Sequence, residues 1–90
     1  MRFSVASTTM FERQFKKIDP FAQRLIKKWI QDNLTGCENP RRYGKSLSGN
    51  RKEQWRYRIG NYRIIVHIED SELVILALTV GHRKEVYKKV

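Results

Sequence analysis

Apolar positions recur at two different periods along the chain, and the change of period divides it into elements. Phe3 and Val5 alternate with polar neighbours across Arg2–Ala6, which predicts a short first strand. Thr9 with Glu12 three residues later has the form of a capping box. Phe11, Phe15 and Ile18 then follow at helical spacing. Asp19 and Pro20 end that helix and open another, with Asp19 as N-cap and Pro20 at the first helical position. Phe21, Leu25, Trp29, Ile30 and Leu34 form an apolar stripe on the second helix, and Gly36 stops it. The two helices are expected as an antiparallel hairpin lying on a sheet.

Gly36 to Lys52 has no period and is rich in glycine, proline and polar residues, so it reads as a long loop. Arg41, Arg42, Lys45, Arg51 and Lys52 make it basic and give it candidate RNA contacts. From Trp55 to Val66 the period becomes two, broken only by Gly60-Asn61, a two-residue hairpin turn. That turn sets Ile59 opposite Tyr62, Arg58 opposite Arg63, Tyr57 opposite Ile64 and Arg56 opposite Ile65. Opposed residues share a face. Trp55, Tyr57, Ile59, Tyr62, Ile64 and Val66 therefore line one side, and Arg56, Arg58 and Arg63 gather on the other. Like charges side by side oppose folding, and a polyanion that neutralises all three is the simplest reason to keep them there. Asp70-Ser71 supplies another turn, and Glu72–Val80 a third strand in succession. Its Leu73, Ile75 and Ala77 are expected on the core side, with Val74, Leu76, Leu78 and Ile65 on the arginine side. That second apolar face calls for partial cover from the C-terminal segment or a partner. Strand, two helices and three strands in this order predict a single α+β domain over 1–90, an N-terminal strand and helical hairpin followed by a three-stranded antiparallel meander in one twisted sheet.

Charge narrows the partners. Nineteen Lys and Arg against nine Asp and Glu leave +10 on 90 residues, which points to nucleic acid, an anionic membrane or an acidic protein. The basic amphipathic helix needs its apolar face for the core, so nucleic acid is favoured over membrane. No run is long enough to span a bilayer, and the N-terminus lacks the apolar region of a secretory signal. Cys37 is the single cysteine, so no internal disulfide forms and a reducing cytoplasm is expected. It sits among Gly, Asn and Pro with no adjacent histidine, the setting of a loop thiol rather than a nucleophile. No spacing of His, Cys, Asp and Glu suggests a metal site, and no cofactor is expected. His67 lies among strand apolars and reads as packed. An ordinary solvated sheet face, salt-bridged through Glu53 or Glu69, is the plain alternative for the three arginines.

Tyr57-Arg58, Gly60-Asn61-Tyr62-Arg63-Ile64-Ile65-Val66 and Val80-Gly81-His82-Arg83-Lys84-Glu85-Val86-Tyr87, with Leu47-Ser48-Gly49-Asn50 before the second strand, resemble the RelE-type toxins of the RelE/ParE toxin–antitoxin superfamily. The likeness covers nearly the whole chain. It implies an endoribonuclease that enters the ribosomal A site and cuts mRNA there, and a cognate acidic, RelB-like antitoxin that wraps and blocks it. The family's cationic pair before the turn falls on Arg56 and Arg58, and its next arginine on Arg63. The cation after the strand-ending glycine falls on Arg83, and the following tyrosine on Tyr87. Well-known members carry lysine where this chain has Arg56 and Arg58, which weakens any general-base role there.

Without a metal, such cleavage uses the substrate's 2′-hydroxyl as nucleophile and leaves a 2′,3′-cyclic phosphate and a 5′-hydroxyl. Arginine suits stabilisation of the phosphate oxygens, because its fork holds two at once, but it is a poor base. Arg58 and Arg63 are the expected clamp, with Arg56 and Arg83 on the flanking backbone. Tyr87 and His82 are the candidates for proton transfer. Lys16, Lys17, Arg24, Lys27 and Lys28 either keep the helices soluble or touch ribosomal RNA. Two other functions share these features in part: a ParE-like inhibitor of DNA gyrase, and a nucleic-acid-binding module without catalysis.

Overall fold

A computed structural model describes residues 1–47 and 53–82 of the chain. Arg51, Lys52, Arg83, Tyr87 and the Ser48-Gly49-Asn50 part of the family motif lie outside the described residues. The elements are β1 (Ser4–Ser7), α1 (Thr9–Lys16), α2 (Pro20–Asn33), a short 3-10 turn (Pro40–Arg42), β2 (Lys45–Ser46), β3 (Gln54–Ile59), β4 (Tyr62–Glu69) and β5 (Val74–His82). The fold class is the expected one: an N-terminal strand, two helices and a strand meander in one open sheet.

The strand order is β1-β5-β4-β3-β2. The helical hairpin carries the chain from one edge of the sheet to the other, so β1 and β2 become opposite edges and the meander fills the space between. β1 therefore runs parallel to β5, and the sheet is mixed rather than wholly antiparallel. The β3–β4 register is the predicted one, including Arg58 opposite Arg63. Gly60 turns at φ +59 while Asn61 keeps a negative φ, the pattern of a type II′ turn with glycine first.

Local chemistry moved several boundaries. Thr8, not Thr9, caps α1: its Oγ1 accepts from the Phe11 amide at 3.0 Å and donates to the Leu78 carbonyl at 2.9 Å. Because the cap sits one residue early, Glu12 falls outside the capping box and instead accepts from the Ser7 hydroxyl at 3.2 Å. Asp19 caps α2 as expected, accepting from the Phe21 and Ala22 amides. The buried face of α2 is rotated from the predicted stripe. Ala22, Ile26 and Leu34 are buried, whereas Phe21 is 69 % exposed and Leu25 46 %. Two overlapping i, i+4 series are apolar in this helix, and the sheet selects the second.

β5 starts at Val74, two residues later than expected, because Leu73 occupies the turn at φ +55. The predicted alternation then slips at a bulge: Val66 faces Ala77 but Ile65 faces Thr79, which leaves Leu78 as the extra residue. Groups freed by the bulge find partners on α1, Thr8 taking the Leu78 carbonyl and Gln14 Oε1 accepting from the Val80 amide at 2.9 Å. The core lies between the helices and one face of the sheet, where Phe11 and Ile26 meet Tyr57, Ile64, Val66 and Ile75.

Candidate functional site

The open face, opposite the helices, carries the cations in register. Arg58 stands directly opposite Arg63, and Arg63 directly opposite Gly81 on β5. The adjacent row runs Lys45, Arg56, Ile65, Thr79 across four strands. Arg58 is exposed, and Arg56 and Arg63 are partly so. Neither Arg58 nor Arg63 forms a salt bridge among the described residues, and Arg63 has only a 3.4 Å hydrogen bond to its neighbouring Tyr62 carbonyl. Glu69, one expected counter-charge, is engaged elsewhere. The Ser71 hydroxyl donates to it at 2.9 Å and His67 Nε2 lies 3.2 Å away, and these bonds, Ser71 first, hold its carboxyl below the usual range. Gly81, the residue opposite Arg63 on β5, adds no side chain to that rung.

The loop cations divide. Arg41 is committed to a fork-on-fork pair with Asp70, at 2.9 and 2.8 Å, and its guanidinium lies 6.0 Å from the Trp55 ring. This pairing gives Arg41 a structural role beside its expected place among the RNA contacts. The same segment is fastened by the Tyr57 hydroxyl donating to the Pro40 carbonyl at 2.5 Å and by Trp55 Nε1 donating to the Tyr43 carbonyl at 2.6 Å. Burial pushes the Tyr57 phenol well above its ordinary range, so it remains a donor. Gly44 closes the attachment. At φ +75, a Cβ there would fall 2.0 Å from the Arg56 carbonyl oxygen. This close approach turns part of the predicted loop into β2 and places Lys45 beside Arg56. The position of Lys45 in the cation row was not legible from its loop composition; a glycine just before it was the one signal. Arg42 is exposed, over the Tyr43 ring.

His82 does not join the arginines. It faces Tyr62 across β4 and β5, with ring centroids 5.9 Å apart and edge to face, and both rings lie on the helix side of the sheet. Alternation along a strand puts its side chain on the face opposite Arg63's partner position. Among the described residues no three His, Cys, Asp or Glu side chains converge. Cys37 is half-buried, and burial raises its thiol pKa. Among the described residues no helix is long and apolar enough to cross a membrane.

The family model for the ParE toxin of the type II toxin–antitoxin system parDE matches residues 5–87. The chain belongs to this family. It is a type II toxin of the RelE/ParE superfamily. Toxin RelG of Mycobacterium tuberculosis is 27 % identical over 89 residues, covering 99 % of this chain and 100 % of that one. The toxin–antitoxin complex RelBE2 of Mycobacterium tuberculosis contains a chain with TM-score 0.79 and 26 % identity, over 94 % of this toxin and 95 % of that chain. A mutant of E. coli toxin RelE in the free state aligns with TM-score 0.77 and 21 % identity, over 98 % and 93 %, and shares the fold.

Proposed function

We propose that this toxin is a ribosome-dependent endoribonuclease that cuts mRNA in the A site and so stops translation. The observation that carries the reading is Arg58 directly opposite Arg63 on the sheet face away from the helices, without a carboxylate partner among the described residues for either. Two guanidinium forks side by side repel each other and match the oxygens of one phosphodiester. Binding RNA turns that repulsion into attraction.

The substrate 2′-hydroxyl attacks the adjacent phosphorus, and negative charge grows on the non-bridging oxygens as the 5′ oxygen leaves. Arg58 and Arg63 stabilise that charge, and Arg56 and Lys45, one row along the face, hold the flanking backbone. Arg83 and Tyr87, assigned through the family resemblance, complete the set, with Tyr87 moving protons. His82 is left out of proton transfer because its ring is on the helix side. Weak proton-transfer groups suit an enzyme whose substrate the ribosome orients, since orientation alone lowers a barrier by up to roughly 7–11 kcal/mol.

The toxin's partner in this reading is an acidic, RelB-like antitoxin in the cytoplasm. The +10 charge supports it, as does the solution of a similar chain as a toxin–antitoxin complex. An antitoxin helix fits the Ile65, Val74, Leu76 and Leu78 side of the sheet, where the last three are only half-buried.

The test is incubation of purified translating ribosomes with wild type, Arg63→Ala and Tyr87→Phe, followed by mapping of RNA 5′ ends. Cuts in phase with the reading frame, lost in Arg63→Ala, are expected; uncut mRNA with wild type sinks the reading. A second reading, inhibition of DNA gyrase, is favoured by the matched family model's own description, ParE of parDE. A supercoiling assay beside the translation assay decides between them, and gyrase inhibition with intact mRNA selects the second.

A further inference from the structure

We propose that the groove between α1 and the His82 end of the sheet is a second RNA subsite, which takes one nucleotide of the strand leaving the arginine face. It rests on the nuclease reading for its substrate class, and on independent geometry for its place. The groove has a volume of about 830 Å³ and runs from Met10 and Arg13 on α1 to Tyr62 and His82.

Three features fit a nucleotide. First, Gln14 is pre-oriented. The Val80 amide only donates, so the oxygen of Gln14 is the end held at 2.9 Å, and Nε2 remains as a donor without a partner among the described residues. Second, the edge-to-face rings of Tyr62 and His82 provide an aromatic wall, and base-on-aromatic stacking is the common mode of single-strand recognition. Third, Arg13 and Lys17, one helical turn apart and both exposed, stand at the rim as phosphate contacts. Asp19 also lines the groove, and its Oδ1 is occupied by the α2 cap. A bare anion or a peptide carboxylate takes the cations and the amide donor, and a base takes the rings as well. A nucleotide uses all of them.

Continuity supports the route. Tyr62 and His82 neighbour Arg63 and Gly81 in sequence, and the two pairs are adjacent rungs of one ladder on opposite faces. A strand held at Arg63 is thus one rung away from the residues that line the groove.

The probe is a fluorescein-labelled hexanucleotide of 2′-O-methyl RNA, which cannot be cut and so reads binding apart from catalysis. Gln14→Glu keeps the acceptor for Val80 and removes the donor, and is expected to weaken binding about tenfold. Arg13→Gln with Lys17→Gln is expected to lower the slope of log affinity against log salt by about 1. Arg2→Gln, an exposed cation outside the groove, changes affinity less than about twofold. On the unaltered protein, RNA-induced amide shifts are expected at Gln14, Tyr62 and Gly81. If both groove variants bind the probe like wild type, or lose only an acidic antitoxin, the subsite is overturned while the nuclease reading stands. If they lose the probe while the wild type leaves mRNA on translating ribosomes uncut, the subsite stands and that reading falls.

Discussion

Arg41 and Arg63 are the same side chain in two opposite settings. Arg41 is held by Asp70 through two short hydrogen bonds and raised in pKa by them, and it fastens the Pro40–Ser46 segment against β3 and the β4–β5 turn. Arg63 faces Arg58 across a strand pair and has no carboxylate among the described residues. A guanidinium with an acidic partner stabilises the fold; one set against another guanidinium opposes it. Count and composition treat the two alike. Register and partner separate them.

The sharpest break in that comparison is loss of Arg63. Arg63→Ala is expected to reduce mRNA cleavage on translating ribosomes by at least about 100-fold, the usual effect of removing one donor to a transition-state oxyanion. Its thermal stability should hold or rise by about 0.2–1 kcal/mol as the like-charge pair disappears. A variant that cuts normally breaks the contrast. The attachment of the structural segment is tested next by Gly44→Ala. With a Cβ driven onto the Arg56 carbonyl at φ +75, urea unfolding should show a loss of about 2 kcal/mol or more.

Arg41→Ala should be milder. Asp70 is 60 % exposed, so the pair contributes about 1 kcal/mol, and that contribution should shrink in high salt. Cleavage per folded molecule should stay within about twofold of wild type, and a loss like that of Arg63→Ala would return Arg41 to the RNA contacts. The smallest effect concerns Cys37, which precedes the fastened segment and is held by backbone bonds to Phe3 and Leu34. Burial raises its pKa, so less thiolate is present at neutral pH than for an exposed thiol. Alkylation should therefore be slower than that of free cysteine near pH 8, and should accelerate as pH rises further.

Local pattern determined most of this molecule. The two-residue turn and strict alternation dictated the β3–β4 register, because slipping a half-buried hairpin by one residue would bury three arginines and expose its apolar face. Asp19-Pro20 likewise determined where α2 begins, through chemistry confined to one helical turn. Long-range geometry decided the rest. Which of two apolar stripes α2 would bury depended on the sheet beneath it, so Phe21 and Leu25 ended exposed. The bulge at Leu78 reset the alternation of β5, a slip that its own composition does not encode. The split between Arg41 and Lys45, one pairing with an aspartate 29 positions away and the other joining the arginine row, came from contacts between residues distant in the chain. A side chain's charge is written in the sequence; the neighbour that neutralises it, or fails to, is set by the fold.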